Sequence, residues 1–116
     1  MTTSRVRTGV FRVLLEIDIG DTAPADFFAV WRRMAETAAR APGILAQSLN
    51  ADTRRDGRYF VVSEWRTTED FTAFSAGADH ERLATSLKAL GRTVSMTGMT
   101  QVLTSPPVSA VSEVRP

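Results

Sequence analysis

The chain has 116 residues, enough for one domain with a real core and too few for two. Its 14 basic and 13 acidic residues leave a formal net charge of +1, which argues against a nucleic-acid footprint, since that needs a clustered basic excess. There is no cysteine, which removes disulfides, thiolate nucleophiles, iron–sulfur clusters and zinc–cysteine sites together.

Residues 1–9 carry no apolar h-region, and no apolar run approaches the ~20 residues of a membrane helix, so the expectation is a cytoplasmic protein without a secretory leader. Val10 to Ile19 alternates as a strand does. Phe11, Val13, Leu15 and Ile17 fall on one face, and Val10, Arg12, Leu14, Glu16 and Asp18 on the other. The turn after it carries helix-start chemistry, with Thr22 or Ala23 as cap and Pro24 in the first turn. Phe27, Val30, Trp31, Met34 and Ala38 then follow helical spacing, predicting an amphipathic helix over 24–41 that Pro42-Gly43 ends.

Ile44 to Ala51 reads as a second strand. The polar loop from Asp52 to Gly57 reads as a hairpin, with Arg54 and Arg55 beside Asp52 and Asp56 as a solvated tip. Tyr59 to Trp65 is the third strand. Thr67 is placed to cap the next helix, with Asp70 three residues later in the manner of a capping box, and Phe71 and Phe74 as the buried pair. Gly77 breaks that helix. Asp79 then caps a second segment with Leu83, Leu87 and Leu90 as its apolar stripe, and Gly91 stops it. Ser95 to Thr104 is a fourth strand interrupted by Gly98. Residues 105–116, with Pro106 and Pro107 at their head, read as a tail, so the domain is expected over 1–104.

The order β-α-β-β-α-β is the split βαβ of a ferredoxin-like α+β fold. Its helices cover only one face of the sheet. Yet Val10, Leu14, Phe60 and Val62 alternate with the inward set, so the second face is apolar as well. A patch of that kind marks an interface, and the expectation is a homodimer with the two sheets face to face.

Conventional catalytic chemistry is scarce. His80 is the single histidine and the only side chain that titrates near neutrality unaided; it is a candidate general base, against the plainer reading of a surface histidine in a helix's first turn. With no cysteine and no fitting carboxylate spacing, no metal site is expected. Glu16, Asp18 and Glu64 read as rim charges, paired with Arg12 or Arg66, rather than as an acid–base pair. A triad drawn from Ser63, His80 and Asp79 lacks a nucleophile elbow. No glycine-rich phosphate loop is present, and no nucleotide, flavin or nicotinamide cofactor is expected.

What remains is aromatic. By pleat, Tyr59, Val61, Ser63 and Trp65 share one face. If that face looks at the helices, they line a space under Trp31 and Phe71, with Phe74, Met34 and Met96 or Met99 beside them. Such a cavity suits a flat, largely apolar ligand with a few polar handles; the plainer reading of most of these side chains is core.

Strand–Trp–polar–Thr–x–Glu/Asp–Phe–x–x–Phe, preceded by the helix stop Ala41-Pro42-Gly43, resembles the antibiotic biosynthesis monooxygenase family over roughly Val10 to Leu103. The resemblance implies a dimeric ferredoxin-like barrel. Several small members, similar to the actinorhodin-type anthrone oxygenases, oxidise aromatic polyketides to quinones with molecular oxygen and no metal, flavin or haem. The family also includes haem-degrading enzymes and quinol-handling proteins. Trp65 matches the strand-end tryptophan that lines the site of the anthrone oxygenases. Where those enzymes carry an asparagine four positions earlier and a tyrosine six positions later, this chain has Val61 and Phe71. Their helix arginine falls near Thr85 or Ser86. His80, Ser63, Asn50 or Arg12 are the polar residues available as replacements.

On these grounds His80 and Trp65 are the candidate catalytic residues. Trp31, Met34, Tyr59, Val61, Ser63, Phe71 and Phe74 are the candidate substrate-binding residues. The leading expectation is a cofactor-independent oxygenase acting on an anthrone- or hydroquinone-type polyketide. The alternatives are a polyketide cyclase or aromatase on a related barrel, and a non-catalytic ligand-binding accessory protein.

Overall fold

The computed structural model describes residues 9–105. Residues 1–8, and the predicted tail from residue 106 on, lie outside the described residues. Four strands form one antiparallel sheet: β1 (Phe11–Asp18), β2 (Ile44–Ala51), β3 (Arg58–Trp65) and β4 (Arg92–Thr100), in the spatial order β2-β3-β1-β4. Three helices complete the fold: α1 (Pro24–Ala38), α2 (Thr68–Ser75) and α3 (Ala78–Leu90). This is the ferredoxin-like α+β arrangement that the element order predicts, with the second helix in two pieces.

The register explains the two faces. Phe11 pairs with Trp65, Val13 with Ser63, Leu15 with Val61 and Ile17 with Tyr59. Directly opposed residues point to the same side, so these eight form the helix-facing layer. Ile17, Phe27, Val30, Tyr59 and Leu87 are buried together in the core. The other face carries Leu14 opposite Val62 and Glu16 opposite Phe60. Leu14, Phe60 and Val62 are half-buried, and among the described residues no helix covers them. Ion pairs flank them: Arg12 to Glu64 at 2.7 Å and Arg58 to Glu16 at 2.6 Å. Glu64 thus takes Arg12, one of the two expected partners, whereas Glu16 takes Arg58, Asp18 lies 3.8 Å from Arg55, and Arg66 lies 4.0 Å from Asp70.

Several local expectations are corrected. Helix α1 ends at Ala38 rather than at residue 41. The cap of α3 is Gly77, not Asp79; Asp79 sits in the first turn and pairs with Arg82. Phe71 and Phe74 are half-buried, because α2 lies over the edge of the core with no fully buried residue of its own. Strand β4 runs three residues earlier and stops four earlier than 95–104, since its limits are set by pairing with β1 and not by its own pattern. Gly98 does not interrupt it; the missing side chain makes room for the Phe11 ring, which a Cβ there would meet at 2.9 Å. Among the described residues no helix is long and apolar enough to cross a membrane.

The chain re-enters the sheet at Gly43, whose φ of 89° is a conformation that L side chains rarely adopt. The Asp70 carboxylate occupies the space a Cβ would need there. Gly43→Ala combines backbone strain with a collision. It is expected to cost about 1–3 kcal/mol, read as a lower urea midpoint at unchanged slope.

Candidate functional site

The site is built from the residue just past a strand's middle to the first turn of α3. Strand period two places Ser63 and Trp65 on one face, and the indole Nε1 donates to Ser63 Oγ at 2.9 Å. The indole is thereby satisfied and 1% exposed. Two residues later the chain starts α2, where the Thr67 hydroxyl accepts from the Asp70 N–H at 3.0 Å. The reciprocal half of the capping box is not formed, because the Asp70 carboxylate turns toward Gly43. The capped helix lays Phe71 and Phe74 on Trp65, with ring centroids at 5.5 and 5.2 Å. The break at Gly77 then swings His80 back onto Phe74, edge to face at 5.0 Å.

These groups enclose a cavity of about 110 Å³ between sheet and helices. Trp31 and Met34 of α1 roof it, and Val61, Ser63 and Trp65 of β3 floor it. Phe71, Phe74 and His80 close one end, and Met96 of β4, 62% exposed, lies at another. Of the nine predicted site residues, eight line this one space. Tyr59 does not. It packs against Phe27 and Phe28 at 5.1 and 5.6 Å and faces a separate groove with Trp31 and Arg32. Of the two methionines, Met96 joins the cavity, while Met99 pairs with Arg12 across the open face.

Gln47 is a cavity residue absent from the sequence-based set. It stands opposite Ser63 in the sheet, and its Nε2 donates to the Ala35 carbonyl at 2.7 Å. A readable signal was its alternation with Leu49 and Ala51, but a register shift between Ile44 and Ala46 hides the phase of that strand.

Burial holds the His80 imidazole below its ordinary value of 6.5, while the Ser75 backbone and the Glu81 carboxylate pull it partly back up. The neutral form is therefore the folded one at neutral pH, leaving a ring nitrogen able to accept a proton. The stability this group contributes is present above 6.5 and is lost as pH falls through the lowered value. No triad forms: Ser63 serves Trp65, and Asp79 serves Arg82. Among the described residues no group of three or more His, Asp or Glu is placed to hold a metal ion.

Residues 10–86 match the antibiotic biosynthesis monooxygenase family. The chain belongs to this family. SnoaB of Streptomyces nogalater, a cofactor-independent oxygenase, superposes at a TM-score of 0.78 with 25% identity, covering 85% of this chain and 99% of SnoaB. A conserved protein from Methanosarcina mazei Go1 shares the fold at a TM-score of 0.75 with 9% identity, over 84% of this chain and 98% of its own. Protein SchA of Streptomyces halstedii is 26% identical over 77 residues, or 66% of this chain. The chain spans 20% of the length of that curated relative.

The positions singled out by the family resemblance fall on two sides. Val61 and Phe71 both line the cavity, so both positions are part of its wall and are apolar. Thr85 and Ser86 are exposed on α3 and bond back to the Glu81 and Arg82 carbonyls at 3.0 and 3.3 Å. Asn50 and Arg12 do not reach the cavity; both sit on the open face, held by Phe60 and Glu64. Ser63 and His80 remain.

Removing the Ser63 hydroxyl leaves a buried indole N–H without its acceptor. Ser63→Ala is expected to lose about 1–3 kcal/mol of stability by urea denaturation, and Ser63→Thr to keep most of it.

Proposed function

We propose that the protein is a cofactor-independent oxygenase that converts an acidic, electron-rich aromatic substrate of anthrone or hydroquinone type to a quinone with molecular oxygen. One observation carries the reading: a neutral imidazole, His80, is the only ionisable group among the described residues lining an aromatic-walled cavity, in the same fold as an oxygenase that works without cofactor. Trp65 and Trp31 bound the flat substrate. His80 takes the proton from the reacting carbon or from a phenol that feeds it. The resulting carbanion reduces oxygen and bonds to it as a peroxide. The imidazolium returns its proton to that peroxide, and loss of water from the hydroperoxide leaves the carbonyl, so one anthrone-type substrate and one O₂ give one quinone and one H₂O. The protein's share is orientation, exclusion of water and pairing of the anion with the imidazolium.

The test is to supply an anthrone in air and under argon with no added cofactor. Oxygen uptake with quinone formation is expected in air only. Turnover that ignores oxygen would instead favour a cyclase or aromatase, and binding without turnover an accessory protein. In the oxygenase, kcat/KM should stay level through neutral pH and fall only on the acid side of 6.5, where the imidazole protonates. His80→Ala should lower kcat by ~10²–10⁴-fold and abolish that limb. An unchanged rate and profile would remove the histidine from the mechanism.

The half-buried face of Leu14, Phe60 and Val62 is proposed as the homodimer contact, with the Arg12–Glu64 and Arg58–Glu16 pairs at its rim. Sedimentation should show a dimer at micromolar concentration, and Val62→Asp should shift it to monomer. A wild-type monomer would refute the contact.

A further inference from the structure

The cavity beside Trp65 is small for the substrate class proposed above. At about 110 Å³ it is below the ~150 Å³ engineered cavity that holds benzene, and sites for larger ligands run to about 300–1,000 Å³. One aromatic ring fills it. The remaining room lies on the far side of two residues. Phe74 and His80 line both this cavity and an outer groove of about 470 Å³.

The groove has a different chemistry from the cavity. It runs between the end of α1, at Thr37 and Arg40, and the α2–α3 junction, at Ala73 and Asp79, with Asp70 on its wall. Arg40 has no ion-pair partner among the described residues. Asp79 is paired with Arg82, and Asp70 lies 4.0 Å from Arg66. The carboxylates are therefore offset but keep lone pairs free, and Arg40 and Thr37 bring donors. A wall of mixed donors and acceptors with little net charge suits hydroxyl and carbonyl groups rather than an anion.

We infer that the cavity and the groove are two compartments of a single elongated site. The inner end of a fused, linear aromatic ligand enters beside Trp65, and its hydroxyl- or carbonyl-bearing outer end lies in the groove near Arg40. Phe74 and His80 stand at the ligand's waist. Their centroids are 5.0 Å apart, so the two rings must part for a flat molecule to pass between them. The arrangement rests on the aromatic-substrate reading and sharpens it: in a linear tricyclic substrate the histidine meets the middle ring, not the terminal ones. The exposed end of the cavity at Met96 is the competing route.

Calorimetric titration under argon separates the two routes, with phenol as a one-ring probe and 1,8-dihydroxyanthrone as a three-ring probe. Ala73→Phe, which fills the groove from an exposed helix position, should weaken the three-ring probe about tenfold or more and leave phenol within about twofold. Arg40→Ala should act in the same direction through a lost hydrogen bond. The inference is overturned if the wild type binds neither probe, if both variants leave the three-ring probe unchanged, if both probes weaken alike, or if Met96→Phe and not Ala73→Phe excludes the larger one. Because the readout is affinity without oxygen, it is independent of turnover. Size-selective binding without quinone formation in air would leave the two-compartment site standing and sink the oxygenase reading.

Discussion

The half of this molecule that holds the candidate site hangs on one buried indole. Trp65 stands at the end of a central strand with its N–H accepted by Ser63, two residues earlier on the same face. That bond lets the largest of the fully buried side chains sit 1% exposed without an orphaned donor. Everything beyond it is stacked in sequence: Phe71 and Phe74 on the indole, then His80 on Phe74. Truncating a core tryptophan costs about 3–5 kcal/mol in general. Here it would also remove the surface against which α2 and the start of α3 are placed.

The short connection from β3 to α2 makes that stack possible. The Arg66 N–H bonds the Gly43 carbonyl at 2.8 Å, and Thr67 then caps the helix. With two residues between strand and helix, α2 has nowhere to go but back across the strand end. Gly43 takes part by admitting the Asp70 carboxylate where any side chain would stand. The second break, at Gly77, is what delivers the histidine: a continuous helix would carry residue 80 onward along the axis, whereas the new helix turns it back onto Phe74.

Much of this was legible because two kinds of signal agreed. The alternation of β1 and β3 declared both faces of the sheet, and the Thr67 hydroxyl three residues before an amide declared the start of α2. Where only one signal existed, it misled. Pleat placed Tyr59 on the face of Trp65, correctly, but it says nothing about position along the strand. Six residues at ~3.3 Å each put Tyr59 about 20 Å away, among different neighbours. Gln47 escaped notice because a register shift near Leu45 reverses the apparent phase of β2. The ends of β4 were misplaced because a run of Thr, Ser, Met and Gly has no pattern of its own, and its limits come from β1.

The chemistry of the cavity follows from how few polar atoms it spares. Ser63 accepts from Trp65, and the Gln47 amide N–H is given to Ala35, so each is already committed to holding the fold. Val61 and Phe71 add only apolar wall. On the proposed reaction, proton transfer to His80 creates an ion pair from two neutral partners in a poorly solvated space. The same burial that keeps the imidazole neutral opposes its protonation. The protein can recover part of that cost through the attraction between imidazolium and carbanion, which is strong at short range in low dielectric. The remainder must come from the substrate's own acidity and electron richness. A cavity built this way discriminates by chemistry as well as by shape: an unactivated ring would fill the space beside Trp65 and never give up its proton.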